Sequence, residues 1–251
     1  MIHPARYQSF YDAIRSSLPS LPLQRLEAGT IVMRSVAAVY KGVAASADSA
    51  RTIWGGSLAD YRWTGARARG PGRGALYVSL HLDALTNELL HYAQHNPSLP
   101  VNPAAGRVLT QDALAATTTF RYALTDSIFV VDVSPASPAG MAFLEHLRAQ
   151  KRVRDALTAA KYTTFQQAYE ADDYSFCRAL GHALLDESAA LIDGLRVTTA
   201  RNQWPKLGET AENLALFGDD GVPLRYLRPL TQTQYGTDAA GKLTQTVKRF
   251  V

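Results

Sequence analysis

Two arginines, a tyrosine and a glutamate follow one another closely in the first half of the chain. Arg67 and Arg69 lie in Gly65-Ala-Arg-Ala-Arg-Gly-Pro-Gly-Arg-Gly74, Tyr77 follows in Ala75-Leu-Tyr-Val-Ser79, and Glu88 comes after it in Leu80-His-Leu-Asp-Ala-Leu-Thr-Asn-Glu-Leu-Leu-His-Tyr92. A loop of this composition brings guanidinium groups and bare backbone N–H groups together, which suits an anionic ligand such as a diphosphate. A ring and a carboxylate just behind it suit a sugar or a flat base. Arg34, within the apolar run Thr30–Tyr40, is a further candidate, because an arginine inside an apolar strand needs a cleft or a partner for its head. An edge-strand arginine pointing at solvent is the plainer account of the same residue.

Other chemistries find less support. Gly70-Pro-Gly-Arg-Gly74 lacks the closing Gly-Lys-Ser/Thr of a P-loop and does not open a helix directly. It is not the Gly-x-Gly-x-x-Gly turn of a dinucleotide-binding βαβ unit either. An arginine–glycine stretch such as residues 65–74 also suits RNA. Glu88 and His91 have the Glu-x-x-His spacing of di-iron bundles, with His95 a turn later, but a second copy is required and none occurs, so no metal site is expected. No Gly-x-Ser-x-Gly elbow is present. Cys177 falls in an apolar helical run and reads as core. Asp172 and Asp173 read as acidic residues at a helix start.

These side chains need elements to position them. Tyr7, Phe10, Tyr11 and Ile14 recur at helical spacing, and Pro4 suits a first turn, so a helix is expected over 4–18. Strands are expected over 30–40 and 75–79, with residues 41–64 a loop that includes a short helix at most. Leu82, Leu85 and Leu89 give a helical stripe running to about His95. A short strand is expected over 106–109, then two strands over 117–124 and 127–133, joined by a turn at Thr125-Asp126. Helices follow over 139–161, in one or two pieces, and over 174–190. Short strands are expected over 195–199 and 213–217, and extended chain over 222–230 and 241–251. The order predicts an α+β fold with a mixed, mostly antiparallel sheet flanked by helices.

Composition sets the frame. With 251 residues, 47% of them hydrophobic and 19% charged, the chain can bury a sizeable core in one domain. We divide it into an N-terminal helical extension, residues 1–28, and a main domain, residues 29–251. The net charge of +4 is a mild excess that suits phosphorylated metabolites as well as nucleic acid. A single cysteine allows no intrachain disulfide, and no stretch reads as a signal peptide or a membrane span, so a cytoplasmic protein is expected, or one delivered into another cell.

On these residues the chain resembles the RES-domain toxins, the toxin half of RES–Xre toxin–antitoxin pairs. Their central pattern, Gly-x-Arg-Trp-Asn-x-x-Gly-x-x-Ala-Leu-Tyr, is matched by Gly65, Arg67, Gly72, Ala75, Leu76 and Tyr77. Glu88 keeps the family's interval from the tyrosine, and Arg34 matches its first-strand arginine. Gly194-Leu-Arg-Val-Thr-Thr-Ala-Arg201 is similar to the late block Gly-x-x-x-Pro-Ser-x-Arg, and Asn213-Leu-Ala-Leu-Phe217 to the closing Asn-Leu-x-Leu-Phe. The match covers about residues 30–220. Ala68 and Arg69 replace the family's tryptophan and asparagine, Ser35 stands where a tyrosine is common, and Thr199 stands for the serine while keeping a hydroxyl.

The resemblance implies an ADP-ribosyltransferase-like fold and a substrate, NAD+, with no separate cofactor. It implies Glu88, Arg67 and Tyr77 as catalytic residues, and Arg34, Arg69, Thr199 and Tyr77 as residues that hold NAD+. The bond to nicotinamide would be broken, with water, phosphate or a protein side chain as acceptor: a glycohydrolase, a phosphorylase or an ADP-ribosyltransferase. The family also implies a neutralising antitoxin or immunity protein as partner, and neither nucleic acid nor a membrane. The reading from another class is a nucleic-acid-binding module built on residues 65–74.

Overall fold

The computed structural model describes residues 3–37, 74–82, 84–86, 111–171, 173–188, 192–198, 212–218 and 226–250. The expectations for residues 41–64, for most of the 65–74 loop and for a strand at 106–109 lie outside these. The first helix, α1 (Pro4–Ser16), forms as the periodicity predicts, and Phe10, Tyr11, Ala13 and Ile14 are buried on one face. His3 caps it, its Nδ1 accepting from Arg6 N at 3.4 Å, and Pro4 fills the first turn, where no N–H is needed. A single 3-10 turn, Leu18–Ser20, leads into β1 (Leu23–Leu26).

The other strands are β2 (Ile31–Ala37), β3 (Gly74–Ser79), β4 (Thr117–Leu124), β5 (Ile128–Asp132), β6 (Gly194–Thr198), β7 (Glu212–Gly218), β8 (Leu227–Thr237) and β9 (Leu243–Arg249). The helices are α2 (Gln111–Ala115), α3 (Pro138–Ala149), α4 (Lys151–Ala159), α5 (Phe165–Glu170) and α6 (Ser175–Ser188). All nine of these strands join one sheet in the order β1-β5-β6-β7-β3-β2-β4-β8-β9. Only β5 and β6 run parallel. The architecture is mixed α/β with a mostly antiparallel sheet, consistent with the α+β expectation.

Two apolar layers hold it together. On one face, α1, α3, α4, α5 and α6 pack over Val131, Val133, Leu195, Val197, Ala215 and Phe217. Phe176 is the hub, edge-on to Phe10 at 5.2 Å and close to Phe165 and Tyr169. Cys177 lies in this layer, fully buried. The opposite face carries Leu26, Val32, Leu76, Val78, Phe120, Tyr122, Leu124, Ile128, Val130, Leu214, Leu216 and Leu227. The alternation along β3, β5 and β7 therefore splits neighbouring apolar residues between two buried faces, which is why those strands read as continuous apolar runs.

Several expectations change. Strands β4 and β5 do not pair across the Thr125-Asp126 turn: β4 lies between β2 and β8, and β5 between β1 and β6. β5 carries buried residues on both faces, Ile128 and Val130 on one and Val131 on the other, which suits a place inside the sheet, and Thr125 N instead donates to Tyr226 O. The predicted extension, residues 1–28, supplies α1 to the main core and β1 to the edge of the same sheet. The region 139–161 is helical as expected, in two pieces that break at Gln150, whose amide donates to Ser17 Oγ at 2.8 Å. Helix α5 was unforeseen: it is a single short element that depends on a capping box between Thr164 and Gln167. Gly194 is required where β6 runs beside β7, since a Cβ there would lie 2.4 Å from Ala215 O.

Candidate functional site

The sheet has a weak seam at its centre. Most neighbouring strands pair along their length, but among the described residues β2 and β3 share one register pair, Met33 with Ser79. Continued, the ladder would set Ser35 against Tyr77; no such pair forms, so the strands part beyond Met33 and Ser79. Each is secured on its outer side, β2 by seven pairs to β4 and β3 by six to β7. Parting therefore leaves two well-supported walls rather than two loose strands.

Arg34 stands on one wall and Tyr77 on the other. Arg34 is opposite Phe120 in the β2–β4 register and shares a strand face with Val32 and Val36, which pack in the second apolar layer. It is partly buried on that face, and its charge is felt by Tyr122. Burial pushes the Tyr122 phenol up to about 12, and the Arg34 guanidinium acts in the opposite sense. Tyr77 is opposite Ala215, partly buried, and packs against the helix-covered layer, while Leu76 and Val78 on either side of it belong to the other. The two residues thus border the seam from opposite faces. At the closed end, Ser79 Oγ donates to Asn213 Oδ1 at 2.8 Å, and both side chains are buried.

Beyond β3 the chain turns into a helix. Residues 82 and 84–86 are helical, Leu85 N donates to His81 O at 3.2 Å, and Thr86 Oγ1 to Leu82 O at 2.9 Å. Of the predicted stripe Leu82, Leu85 and Leu89, Leu85 is buried beside Ala84 but Leu82 is exposed, and Leu89 lies outside the described residues. Glu88 follows two residues after this turn, and Thr199 directly follows the last residue of β6. Glu88, Arg67, Arg69 and Thr199 lie outside the described residues.

One polar group was missed in the sequence. Arg196 on β6 and Glu212, the first residue of β7, form an ion pair, Arg196 Nη2 donating to Glu212 Oε2. Arg196 Nη1 donates to Gln24 Oε1 at 2.6 Å and lies 3.9 Å from Asp132 Oδ2. His81 Nε2 lies 3.6 Å from Glu212 Oε2. A signal was present: an arginine in Gly-Leu-Arg-Val-Thr and a glutamate heading Asn-Leu-Ala-Leu-Phe are charges in otherwise apolar strands, and buried charges come paired. Just before α6, Asp173 Oδ1 accepts Ser175 N and its Oδ2 accepts Arg6 Nη1 at 3.0 Å, so Asp173 both caps the start of that helix and ties α1 to it. No group of three or more His, Cys, Asp or Glu is placed to hold a metal ion among the described residues. Nor is any helix among them long and apolar enough to cross a membrane. No protein-family model matches the chain, and no curated protein matches it significantly.

Proposed function

We propose that the chain is an NAD+-consuming enzyme that breaks the bond between nicotinamide and ribose, on an ADP-ribosyltransferase-like version of this sheet. One observation carries the reading. Arg34 and Tyr77, the two proposed site residues that fall among the described residues, stand on the two strands that share a single register pair at the seam. It is at this seam, between strands each supported on its outer side, that we place the dinucleotide.

The chemistry suits the residue types. Nicotinamide is already cationic in NAD+ and leaves without a general acid, through an oxocarbenium-like state. A carboxylate at the ribose offsets the developing charge, and Glu88 takes that role. Arg34, Arg67 and Arg69 bind the diphosphate, Tyr77 meets the nicotinamide or its ribose, and the Thr199 hydroxyl bonds nearby. Water, phosphate or a protein side chain completes the reaction. An enzyme that drains NAD+ in the cytoplasm of its host requires a neutralising partner, and an acidic group of that partner would fit among the same arginines.

Incubation with NAD+, with and without phosphate, tests this by identifying the products. Free nicotinamide is expected, and Glu88→Gln should slow its release roughly 100-fold with an unchanged unfolding midpoint. NAD+ left intact by the folded wild type would overturn the reading.

A further inference from the structure

We propose that Glu212 is a positioning residue, which ties the exits of β3 and β6 into one corner. From those two exits the chain runs on to Glu88 and to Thr199. The catalytic consequence rests on the NAD+ reading; the structural one rests on the contacts alone.

Glu212 reaches both exits. Its main chain pairs with Thr198, the last residue of β6, and its carbonyl accepts Leu80 N at 3.0 Å, just past the end of β3. Its carboxylate accepts from Arg196 one strand over and faces the ring of His81. His81 is also the residue whose carbonyl receives Leu85 N, so the first helical turn after β3 begins on a residue that Glu212 touches. Main chain and side chain therefore fix the same junction from two directions.

The carboxylate is suited to holding rather than reacting. Its side chain is only 5% exposed, and one of its oxygens is engaged by Arg196. Arg196 is itself held by Gln24, with Asp132 nearby, so the guanidinium keeps partners when the Glu212 charge is removed. Breaking a buried pair is most damaging when it strands the other ion. Here it does not, and Glu212→Gln is expected to fold with a loosened corner. A shift of about an ångström in a catalytic group costs up to roughly 100-fold in rate.

The test compares wild type with Glu212→Gln by two measurements. Amide exchange read by NMR should quicken roughly tenfold at Leu85 and stay unchanged at Leu180 in the core of α6, which separates a local loosening from a general loss of stability. In NAD+ turnover, kcat should fall roughly tenfold while KM stays within about twofold. Unchanged exchange at Leu85, exchange raised equally at Leu180, or an unchanged kcat in an active protein would each overturn the assignment. A wild type that consumes no NAD+ defeats the proposed function instead, and Leu85 exchange then decides the corner by itself. Should Glu212→Gln fail to fold, His81→Ala removes the half-exposed arm of the same contact, and the same two readouts apply.

Discussion

The two halves of the sheet, on either side of the β2–β3 seam, are built differently. In the half formed by β1, β5, β6, β7 and β3, the inner strands are apolar on both faces, and five helices lie over one of them. Its charged strand residues, Arg25, Asp132, Arg196 and Glu212, balance in sign. In the half formed by β2, β4, β8 and β9, apolar residues keep mainly to one face, while Ser35, Thr119, Arg121 and Thr233 occupy the other. The strands there carry Arg34, Arg121, Arg228, Lys248 and Arg249 and no acidic residue. Only the short α2 is set beside β4 and β8 among the described helices. One half is covered by helices on a buried face; the other carries the excess of positive charge, with Arg34 and Ser35 of β2 bordering the seam.

Stability should divide along that line. Leu214, fully buried on β7, should cost about 2–5 kcal/mol when changed to alanine. Thr233→Ala on β8 should stay within about 0.5 kcal/mol. Urea unfolding of both proteins measures this, and comparable losses would erase the distinction between support and seam-lining half.

Turnover should sharpen the contrast within the basic half. Arg34→Ala should lower NAD+ consumption roughly 100-fold, as loss of a preorganised cationic group does. Arg228→Ala, exposed on β8 and away from the seam, should change it less than about twofold. Equal losses would point to a diffuse basic surface instead of a site.

The smallest effect concerns pH. Because burial raises the Tyr122 phenol to about 12 in the folded chain, against 10.0 for the free group, folding holds its proton longer than the unfolded chain does. Its contribution is complete below about pH 10 and is lost as pH rises toward about 12, at up to about 1.4 kcal/mol per pH unit. Tyr122→Phe should flatten the fall of unfolding free energy over that window. Arg34→Ala should shift the phenol's titration further up, since the nearby positive charge holds it down. A Tyr122→Phe protein with an equally steep alkaline fall would show that other groups account for the loss.

The same contrast explains what the sequence disclosed. In the support half, the Tyr7–Phe10–Tyr11–Ile14 stripe located α1, and the apolar runs located β5, β6 and β7. Strand pairing was another matter. The turn at Thr125-Asp126 suggests a hairpin, yet β5 has buried residues on both faces and goes to the interior of the sheet, a choice made by long-range burial that local turn residues do not carry. β1 has only four residues and an exposed Leu23, too short for alternation to show. In the other half, Thr231-Gln-Thr-Gln234 of β8 has no apolar alternation, yet the strand runs on to Thr237, past the expected end at 230. At the site, types and order singled out Arg34 and Tyr77, but only the register puts them on opposite walls of one seam. Glu212 makes its contacts with β6 and His81, which its neighbours in sequence do not announce.

Met33 forms the last pair before the seam opens, and the methionines are few enough to resolve singly: Met1, Met33 and Met141. Methyl-13C NMR of Glu88→Gln, titrated with NAD+ in the absence of turnover, is the most direct test of a dinucleotide site between β2 and β3. The Met33 methyl should shift in a saturable way, while Met141, exposed on α3, should not move. Saturable NAD+ binding that leaves Met33 unmoved would contradict the account and put the ligand elsewhere on the chain.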